Sequence, residues 1–501
     1  SWEQVTFTSN TTYLLKRGTT MDVEAVTFNN VNNTVVSTYG SGERPVVNGW
    51  VLQVAGCNGF TFENIEAYMI GYYCLRFDTE YTNENVLIKN VVLHSGEWDS
   101  EDYNYGIYGA VNHIDIIDTE IYSIYQDGIY LSSSYDITIE NCHIYDVNQL
   151  FFVNPGGAGG DCVQLIGCDD VVIRNSTFDR SGTGRKFAVI FTTSPENAII
   201  EDCRFIGPDK TEYGGASLFI SGSDFTVRRS IFEQAPVGVY THAANTIIHN
   251  NQFISTTTGV QVANNGPEIY NNVFYDNEHS VDCWLRPAVI KNNVSYLTSS
   301  DYENYPVADV EFSNNLQNIE GVNPYEGTII ADPQFVSVAN YDFHPGNNSP
   351  LIDAGTDVGI EYDYDLNPVP CNGIPDIGAF EDQDGCEGET NDPPVANAGS
   401  DTNSVFSEDS VQLYGENSYD PDEDPLTYSW SAPALVQLSN YDEPNPVLYT
   451  SDVETDTTLM VFLTVSDGSL ETSDSIELTV LVPQETPDLD TVFFDPSNAD
   501  D

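Results

Sequence analysis

The sequence predicts an all-β protein: a right-handed, single-stranded parallel β-helix followed by a small immunoglobulin-like β-sandwich. First, short apolar segments recur with a period as short as 22 residues, from Tyr105 to Asp127 and again from Gly215 to Val237. Second, no helical pattern separates them, which excludes a doubly wound sheet. Third, a polar, glycine-bearing stretch at 383–392 divides these repeats from a region of longer alternating segments.

Each repeat begins with a strand whose third and fifth positions are mostly apolar and are expected to point into the cylinder. This predicts that the following side chains lie inside: Ile129, Leu131, Val163, Leu165 and Ile190. An asparagine recurs after a second strand, in ENC, RNS, HNN and YNN. Stacked asparagines can bond along a ladder and tolerate left-handed backbone, so we expect a turn there. Each coil gains a core only by stacking on its neighbours.

These patterns set the domain boundaries. The predicted parts are 1–300 (β-helix with its N-terminal cap), 301–382 (closing segment), 383–392 (linker), 393–483 (sandwich) and 484–501 (acidic tail). The apolar stretches of the closing segment are expected to cover the open end of the cylinder, where strands would otherwise be unpaired. The tail is expected to be disordered on its own.

The charge balance excludes several partners. Fifteen basic against 78 acidic residues give a net charge of −63, which repels nucleic acid and anionic membranes. Much of this charge is typical of a solvated surface, as in proteins from salty habitats. No apolar run reaches about 18 residues, so membrane insertion is not expected.

Several features favour an extracellular location. Because the chain opens at Ser1 without an initiator methionine, we expect a mature chain whose signal peptide has been removed. Asn-x-Ser/Thr sequons give weak support for a glycoprotein and begin at Asn10, Asn32, Asn175, Asn293 and Asn347. Nine cysteines are an odd number, so at least one thiol is free or pairs with another molecule. Cys371 and Cys386 are spaced to close a short loop, and the others are expected to be small buried residues.

Equivalent positions of successive coils form columns about 4.8 Å apart, so residues distant in sequence become neighbours. The predicted column at the strand start is Trp50, Tyr73, Tyr105, Asp127, Asp161, Lys186, Gly215 and Val237. The predicted outward column contains Arg76, Tyr108, Tyr130, Gln164, Val189, Leu218 and Tyr240, with His242 near the same face.

The cluster of Asp127, Asp161 and Lys186 is the predicted catalytic site. Two like charges on adjacent coils raise one pKa unless a cation intervenes, and Lys186 is placed to be that cation. In a hydrolase the two aspartates would be the acid and base that cleavage of a sugar acetal requires. In a lyase Lys186 or a tyrosine would remove the proton next to a uronate carboxylate that Arg76 or Ca²⁺ neutralises. The structural alternative is turn chemistry with an Asp161–Lys186 ladder pair.

The surroundings of this cluster suggest a groove. The predicted substrate-binding residues are Arg76, Tyr108, Tyr130, Gln164 and His242. Two longer connections, 94–104 and 147–160, are expected to form walls beside the Asp127 coil. Their Trp98, Phe151 and Phe152 provide sugar-stacking platforms or simply pack the loops onto the cylinder.

Two resemblances refine the fold. Over roughly residues 20–300 the repeats resemble the right-handed β-helix superfamily of polysaccharide lyases and glycoside hydrolases, without a family-specific catalytic signature. The motifs DPQF (332–335), SPLIDAGT (349–356) and DIGAFE (376–381) resemble the segment that closes such β-helices in secreted bacterial and archaeal proteins.

The C-terminal region resembles a PKD-type immunoglobulin-like module, with Trp430 at the position of the buried tryptophan. The segments that carry this resemblance are 393–401, 410–430 and 462–480. Asp420, Asp422 and Asp424 alternate within DPDED, so their carboxylates can converge on Ca²⁺ or form a solvated acidic turn.

Together these features predict a secreted polysaccharide-active enzyme, a hydrolase or a lyase, acting in a groove on the outer face of the β-helix. The PKD-type module would be a spacer or a carbohydrate-binding accessory. The alternative is a non-catalytic extracellular protein, an adhesin or a subunit of a filament or cell-surface assembly. Apolar alternating segments at 1–15 and in the tail allow self-association through sheet edges, and the fold alone does not choose.

Overall fold

A computed structural model of the chain separates into two units. The first contains Ser1–Asp384 and Leu489–Asp501, and the second contains Gly385–Asp488. The structure describes residues 5–23, 25–49, 51–69, 71–95, 104–147, 160–181, 187–207, 215–263, 266–283, 287–304, 310–318, 327–384, 393–399, 403–406, 409–422, 424–433, 436–451, 453, 457–468, 470–481 and 491–494. No helix in these ranges is long and apolar enough to cross a membrane.

The first unit is a parallel β-helix with three sheets, named A, B and C here, which confirms the predicted architecture. Each coil contributes one strand to each sheet, and neighbours within a sheet come from successive coils. Sheet A contains Thr491–Phe494, Thr12–Lys16, Asn32–Tyr39, Asn58–Glu63, Glu84–Lys89, Asn112–Ile117, Tyr135–Glu140, Asp169–Arg174, Glu196–Glu201, Ser223–Arg228, Ala244–His249, Glu268–Tyr270, Ala288–Lys291 and Val310–Ser313.

Sheets B and C complete the cylinder. Sheet B contains Thr20–Asp22, Val46–Gly49, Glu66–Met69, Val92–Ser95, Glu120–Ile124, His143–Val147, Thr177–Asp179, Arg204–Ile206, Ile231–Glu233, Gln252–Ile254, Val273–Tyr275, Val294–Tyr296, Leu316–Gln317 and Ile329–Ile330. Sheet C contains Ala25–Asn29, Val51–Ala55, Tyr73–Phe77, Tyr105–Gly109, Ile129–Ser132, Val163–Ile166, Val189–Thr192, Ala216–Ile220, Val237–Thr241, Thr258–Val262, His279–Cys283 and Ser300–Asn304.

The tail was expected to be disordered on its own, yet part of it forms a strand. Thr491–Phe494 pairs in parallel with Thr12–Lys16, the first strand of sheet A. The tail therefore covers an edge whose N–H and C=O groups would otherwise be open to another chain.

The interior of the cylinder is apolar, and four of the five predicted inward residues are confirmed. Ile129, Leu131, Val163 and Leu165 are fully buried in the main core. The prediction for Ile190 was wrong, because this residue pairs with Gln164 and Phe219 in the outward column.

The error at Ile190 is a shift of one residue. Val189 and Phe191 are the residues that enter the core, and Phe219 rather than Leu218 continues the outward column. The segment AVIF is apolar throughout, so alternation does not show which of its side chains point inward. A shift of one residue then reverses the predicted direction of every side chain.

Stacked side chains hold successive coils in register. On the inner face of sheet B, neighbouring phenylalanine rings have centroids 4.7–5.2 Å apart. The rings belong to Phe178, Phe205, Phe232, Phe253 and Phe274.

The predicted asparagine ladder is present at the turn between sheets A and B. The Oδ1 atom of Asn272 accepts the backbone N–H of Asn251 at 3.0 Å and the Nδ2 group of Asn251 at 3.1 Å. Asn293 repeats both bonds toward Asn272 at 3.0 Å. The residues preceding these asparagines adopt left-handed backbone, as Asn250 (φ 52°) and Asn271 (φ 52°) illustrate.

Among the described residues of the closing segment, Ile329–Ile330 pairs with Leu316–Gln317 at the end of sheet B. Its later apolar stretches cover a side of the cylinder rather than the open end, which corrects the sequence expectation for them. Phe343 and Phe380 pack on the outward side chains of Ile254 and Val273 in sheet B. Leu351 and Ile377 pack in the same way on Val294 and Leu316. Asparagines of the turn anchor it, since Asn292 Nδ2 donates to Thr356 O at 2.7 Å and Asn250 Nδ2 donates to Tyr362 O at 2.6 Å. The later coils of sheet B are thereby covered on their outer face.

Most of the cysteines are buried thiols without a disulfide bond, as expected for small buried residues. These are Cys57, Cys74, Cys142, Cys162, Cys168, Cys203 and Cys283. Cys371 is disulfide-bonded, and Cys386 lies outside the described residues.

The second unit consists of two small sheets. The larger contains Asn403–Phe406, Glu471–Leu481, Thr457–Ser466 and Thr427–Ser431, and the smaller contains Ser410–Gln412, Val447–Thr450 and Val436–Leu438. Trp430 is buried as expected, and its Nε1–H donates to Glu443 O at 3.1 Å.

The ladder predicts the effect of removing one rung. Asn272→Ala leaves the buried carbonyls of Ile248 and Tyr270 without their Nδ2 donor. We expect the free energy of unfolding to fall by about 3 kcal/mol, measured by urea titration. The control, Asn58→Ala at an exposed asparagine of sheet A, should lower the free energy of unfolding by less than about 1 kcal/mol. Equal losses in both variants would contradict a structural role for the buried ladder.

The tail strand predicts a second effect. Successive N–H groups of a strand point to opposite sides, so replacing both Val492 and Phe493 by proline removes at least one bond to the first strand. We expect the exposed edge to promote concentration-dependent self-association, measured by light scattering. The control, Val492→Thr with Phe493→Tyr, keeps both N–H groups and should remain as dispersed as the parent chain. Proline variants that scatter no more than this control would show that the tail does not protect the edge.

Candidate functional site

The two predicted catalytic aspartates lie at the start of sheet C strands and are buried. Their exposed fractions are 1% for Asp127 and 3% for Asp161. Oδ1 of Asp127 accepts the backbone N–H of Asp161 at 2.7 Å, and Oδ1 of Asp161 accepts that of Phe187 at 2.9 Å. Each carboxylate therefore bonds to the next coil, as the buried asparagines do at the other turn.

The predicted alignment of the third member of the cluster is wrong by one position. Phe187, not Lys186, stands opposite Asp161, and Lys186 lies outside the described residues. Arg180 is a buried cation whose charge interacts with Asp161, while burial lowers the pKa of its guanidinium. Sequence reasoning missed Arg180 because it follows a sheet B strand rather than beginning a sheet C strand. Much of both predicted walls, including Trp98, Phe151 and Phe152, also lies outside the described residues.

The predicted substrate-binding residues form one outward column on sheet C. Arg76, Tyr108, Tyr130 and Gln164 occupy successive coils in register. The rings of Tyr108 and Tyr130 are stacked with centroids 5.0 Å apart, and the guanidinium of Arg76 lies 5.4 Å from the centre of the Tyr73 ring. The predicted column is thus confirmed over these four coils.

His242 lies further along the same face. Its ring is 4.8 Å from that of Tyr240 and 5.4 Å from that of Phe219, and burial lowers the pKa of the imidazole. The coils of Gln164 and Ile190 lie between that of Phe219 and that of Tyr130. His242 is therefore not brought together with Asp127.

Sheet B carries a second group of polar and aromatic side chains, which sequence reasoning missed. One outward column reads Glu66, Val92, Glu120 and His143 on successive coils. The next outward column reads Tyr68, His94, Tyr122 and Tyr145. The signal was present in the strand that follows the recurrent asparagine, where EAY, VLH, EIY and HIY each end in an aromatic ring or an imidazole.

The aromatic column on sheet B is closely stacked. The rings of His94 and Tyr122 have centroids 4.8 Å apart at 9°, and those of Tyr122 and Tyr145 are 5.1 Å apart at 12°. Ring faces are consequently occupied by neighbouring rings, and the ring edges with their polar atoms face outward.

Each glutamate has a partner from the following coil. The Nε2 atom of His94 lies 3.0 Å from Oε1 of Glu66, and the Tyr145 hydroxyl donates to Oε1 of Glu120 at 2.7 Å. Burial and the charges of both glutamates raise the pKa of the Tyr122 phenol, so the two carboxylates interact with one central ring. Burial and the bond to Glu120 likewise raise the pKa of Tyr145, which keeps its hydroxyl a donor.

A groove of about 360 Å³ adjoins Glu120. It is lined by Arg44, Val91, Asp118, Thr119, Glu120, Asn141 and His143. Asn141 Nδ2 donates to Asp118 Oδ1 at 3.2 Å, and Arg44 donates to Asn90 Oδ1. The groove therefore places hydrogen-bonding groups of several kinds beside a carboxylate.

The spacing of the two glutamates has a chemical meaning. Glu66 and Glu120 are separated by one intervening coil, so their backbones are roughly 9.6 Å apart. Inverting glycosidases hold their two carboxyl groups about 6.5–9.5 Å apart, which leaves room for the attacking water. The backbone spacing of the two glutamates lies at the upper limit of that range.

The predicted Ca²⁺ ligands form a turn in the second unit. Asp420 Oδ1 accepts the backbone N–H groups of Asp422 at 2.8 Å and of Asp424 at 3.3 Å. Oδ2 of Asp420 is buried without a hydrogen-bond partner, and burial together with the charges of Asp420, Asp467 and Asp422 raises the pKa of Asp424. Within the described ranges, however, three or more His, Cys, Asp or Glu side chains nowhere group as a metal ion requires.

Comparison with known proteins concerns the first unit. No curated protein sequence matches the chain. A nucleoside hydrolase-related hypothetical protein from Saccharophagus degradans, associated with carbohydrate metabolism, is 19% identical over 21% of this chain, which spans only 28% of that protein (TM-score 0.17). A pectate lyase is 17% identical, with 75% of this chain and 88% of the lyase covered (TM-score 0.39). A tailspike protein of an Acinetobacter baumannii bacteriophage, a capsular polysaccharide depolymerase, is 10% identical, with 93% and 79% covered (TM-score 0.36).

These solved structures are too distant to support a functional argument. The family model described as "right handed beta helix region" matches residues 50–206 and 153–318, which together exceed half of the chain and coincide with the stacked coils. The chain therefore belongs to the right-handed β-helix family.

Proposed function

We propose that the protein is an extracellular polysaccharide-active enzyme, a glycoside hydrolase that cleaves its substrate in the groove on sheet B. The spacing of Glu66 and Glu120 is the observation that carries this proposal, because it suits inversion at the anomeric carbon.

The surrounding side chains suggest a role for each glutamate. The Tyr145 hydroxyl stabilises Glu120 as a carboxylate, which then takes a proton from the attacking water. The Glu66–His94 pair supplies the proton that the leaving glycosidic oxygen accepts. The bond from the anomeric carbon to the glycosidic oxygen breaks, a bond to the water oxygen forms, and one water molecule is consumed per cleavage.

A hydrolase fits this groove better than a lyase. A lyase that acts on a uronate needs a cation to neutralise the sugar carboxylate before the neighbouring proton leaves. Arg44 is the guanidinium that lines the groove, and it donates to Asn90, while the lining also contains Asp118 and Glu120. A polyuronate would meet like charge there.

The face on sheet C is proposed as an accessory binding surface. Its tyrosine hydroxyls, Arg76 and Gln164 offer hydrogen bonds to sugar hydroxyl groups. The sequence-predicted catalytic set of Asp127, Asp161 and Lys186 stays as the rival location for the chemistry. The second unit is proposed as a PKD-type immunoglobulin-like accessory, supported by the buried Trp430 and its alternating strands.

A non-catalytic role in an extracellular assembly is the second candidate. It is favoured by the pairing of Thr491–Phe494 with Thr12–Lys16, because the same parallel contact made between two copies would join them. A chain that associates reversibly and cleaves no polysaccharide would support this candidate.

The two locations for catalysis can be separated by substitution. We expect reducing-end release to fall at least about a hundredfold in Glu120→Gln, because the base is lost while the side-chain volume is kept. Asp161→Asn should retain activity if it remains folded, and Glu84→Gln, at a half-buried glutamate of sheet A, is the control for charge removal. The assay uses neutral, amino-sugar and uronate polymers and also records absorbance from unsaturated products.

Three outcomes would contradict the proposal. Loss of activity in Asp161→Asn with retention in Glu120→Gln would move the chemistry to sheet C. Unsaturated products would identify a lyase. Absence of cleavage across the polymers would favour the assembly role.

The Ca²⁺ proposal is tested on the full chain. If Asp420, Asp422 and Asp424 bind the ion in the folded state alone, Ca²⁺ should raise the melting temperature of the second unit above its value in chelator. Asp424→Asn should abolish that difference, whereas Mg²⁺ at the same concentration should have a smaller effect. Calorimetry resolves the units if they melt separately, and an identical melt with Ca²⁺ and with chelator rejects the site.

A further inference from the structure

The groove on sheet B carries unneutralised negative charge. Its lining includes the carboxylates of Asp118 and Glu120, and Glu66 lies two coils below Glu120 in the same column. The guanidinium of Arg44 and the imidazole of His143 are the basic groups of that lining.

The hydrogen-bond partners of these carboxylates leave their charge in place. Asp118 accepts from the neutral amide of Asn141, and Glu120 accepts from the phenol of Tyr145. Arg44 donates to the amide oxygen of Asn90 and adds one positive charge to the lining, against the two carboxylates. The lining therefore keeps a net negative charge that attracts a positively charged ligand.

The net charge of the whole chain also favours positively charged ligands at longer distances. A net charge of −63 raises the local concentration of cations at clefts and lowers that of polyanions. Uronate and sulfated polymers are disfavoured at every distance, and neutral polymers are neither attracted nor repelled.

We infer that the substrate is a polymer of amino sugars with free, protonated amino groups, and that Asp118 binds one of these amines next to Glu120. This inference rests on the proposed hydrolase function. It assigns Asp118 a specificity role that neither the carboxylate spacing nor the fold requires.

A second acidic depression provides a control for the effect of charge alone on binding. Asp169, Asp170, Glu196, Asn197 and Asp224 line a volume of about 400 Å³ at the first residues of three sheet A strands. This lining contains no aromatic or imidazole group. If charge were sufficient, a cationic polymer would bind there equally well.

Asp170 in this depression is a close match for Asp118. Both have left-handed backbone, with φ of 51° and 54° for Asp118 and Asp170. Each accepts a bond from an asparagine of the following coil, Asn141 for Asp118 and Asn197 for Asp170. Asp170→Asn therefore repeats the chemical change of Asp118→Asn at a site without catalytic groups.

The experiment compares glucosamine oligomers with their N-acetylated counterparts of equal length at fixed salt. For the parent chain we expect kcat/KM for the free amine to exceed that for the acetylated form by about tenfold or more. Asp118→Asn should lower this ratio several-fold, mainly through KM, whereas Asp170→Asn should leave it unchanged. Uronate oligomers should be poor substrates for all three proteins.

The outcomes separate this inference from the proposed function. Equal or better cleavage of acetylated, neutral or uronate oligomers, still dependent on Glu120, would overturn the amine preference and leave the hydrolase intact. An equal loss of preference in both aspartate variants would assign the effect to general charge and overturn the role of Asp118. Should Asp118→Asn fail to fold, the parent chain's preference between the matched oligomers still decides the substrate class. Cleavage of none of them would refute the hydrolase itself, and cleavage independent of Glu120 would refute the placement of its site in the groove on sheet B.

Discussion

Hydrogen bonding between successive coils fixes the register on which the rest of the first unit depends. Asn272 bonds Asn251 through backbone and side chain, and Asn293 bonds Asn272 in the same manner, each across 21 residues. Because these groups are buried, a slip would leave several donors and acceptors unsatisfied at about 1–3 kcal/mol each. The ladder therefore makes any register other than the observed one expensive, and it aligns the outward columns as a consequence.

This register explains how polar side chains from distant parts of the chain assemble on one face of the β-helix. Glu66 and Glu120 are far apart in sequence, yet a single intervening coil sets their separation. The closing segment limits where such a site can exist, because it covers the later coils of sheet B through Phe343 and Phe380. The earlier coils of sheet B remain outside this packing, and the groove lies there. Stability and site placement thus derive from the same stacking.

The sequence predicted the coils, the asparagine ladder and the tyrosine column because periodic apolar and polar residues define them. The prediction was wrong at Ile190, because a fully apolar segment does not show which side chains point inward. The same shift of one residue assigned Lys186 to the position that Phe187 occupies. Sequence reasoning also missed the groups on sheet B, because their column changes residue type from coil to coil, as Glu66, Val92 and Glu120 illustrate. The burial of Asp127 depends on the three-dimensional closure of the turn, which periodicity does not report.

The stacking that builds these surfaces also restricts how they bind. In the column of His94, Tyr122 and Tyr145, the ring faces that meet are stacked at about the coil spacing, so a sugar ring cannot stack between them. Recognition must instead use the outward edges, where imidazole nitrogens, phenol hydroxyls and carboxylates repeat along the helix axis. Hydrogen bonds to charged groups are individually stronger than neutral ones, so edges bearing Glu66, Glu120 and Asp118 discriminate by charge more than by shape. If the proposed function is correct, a face built in this way selects the ionic state of a polymer before it selects the identity of the sugar.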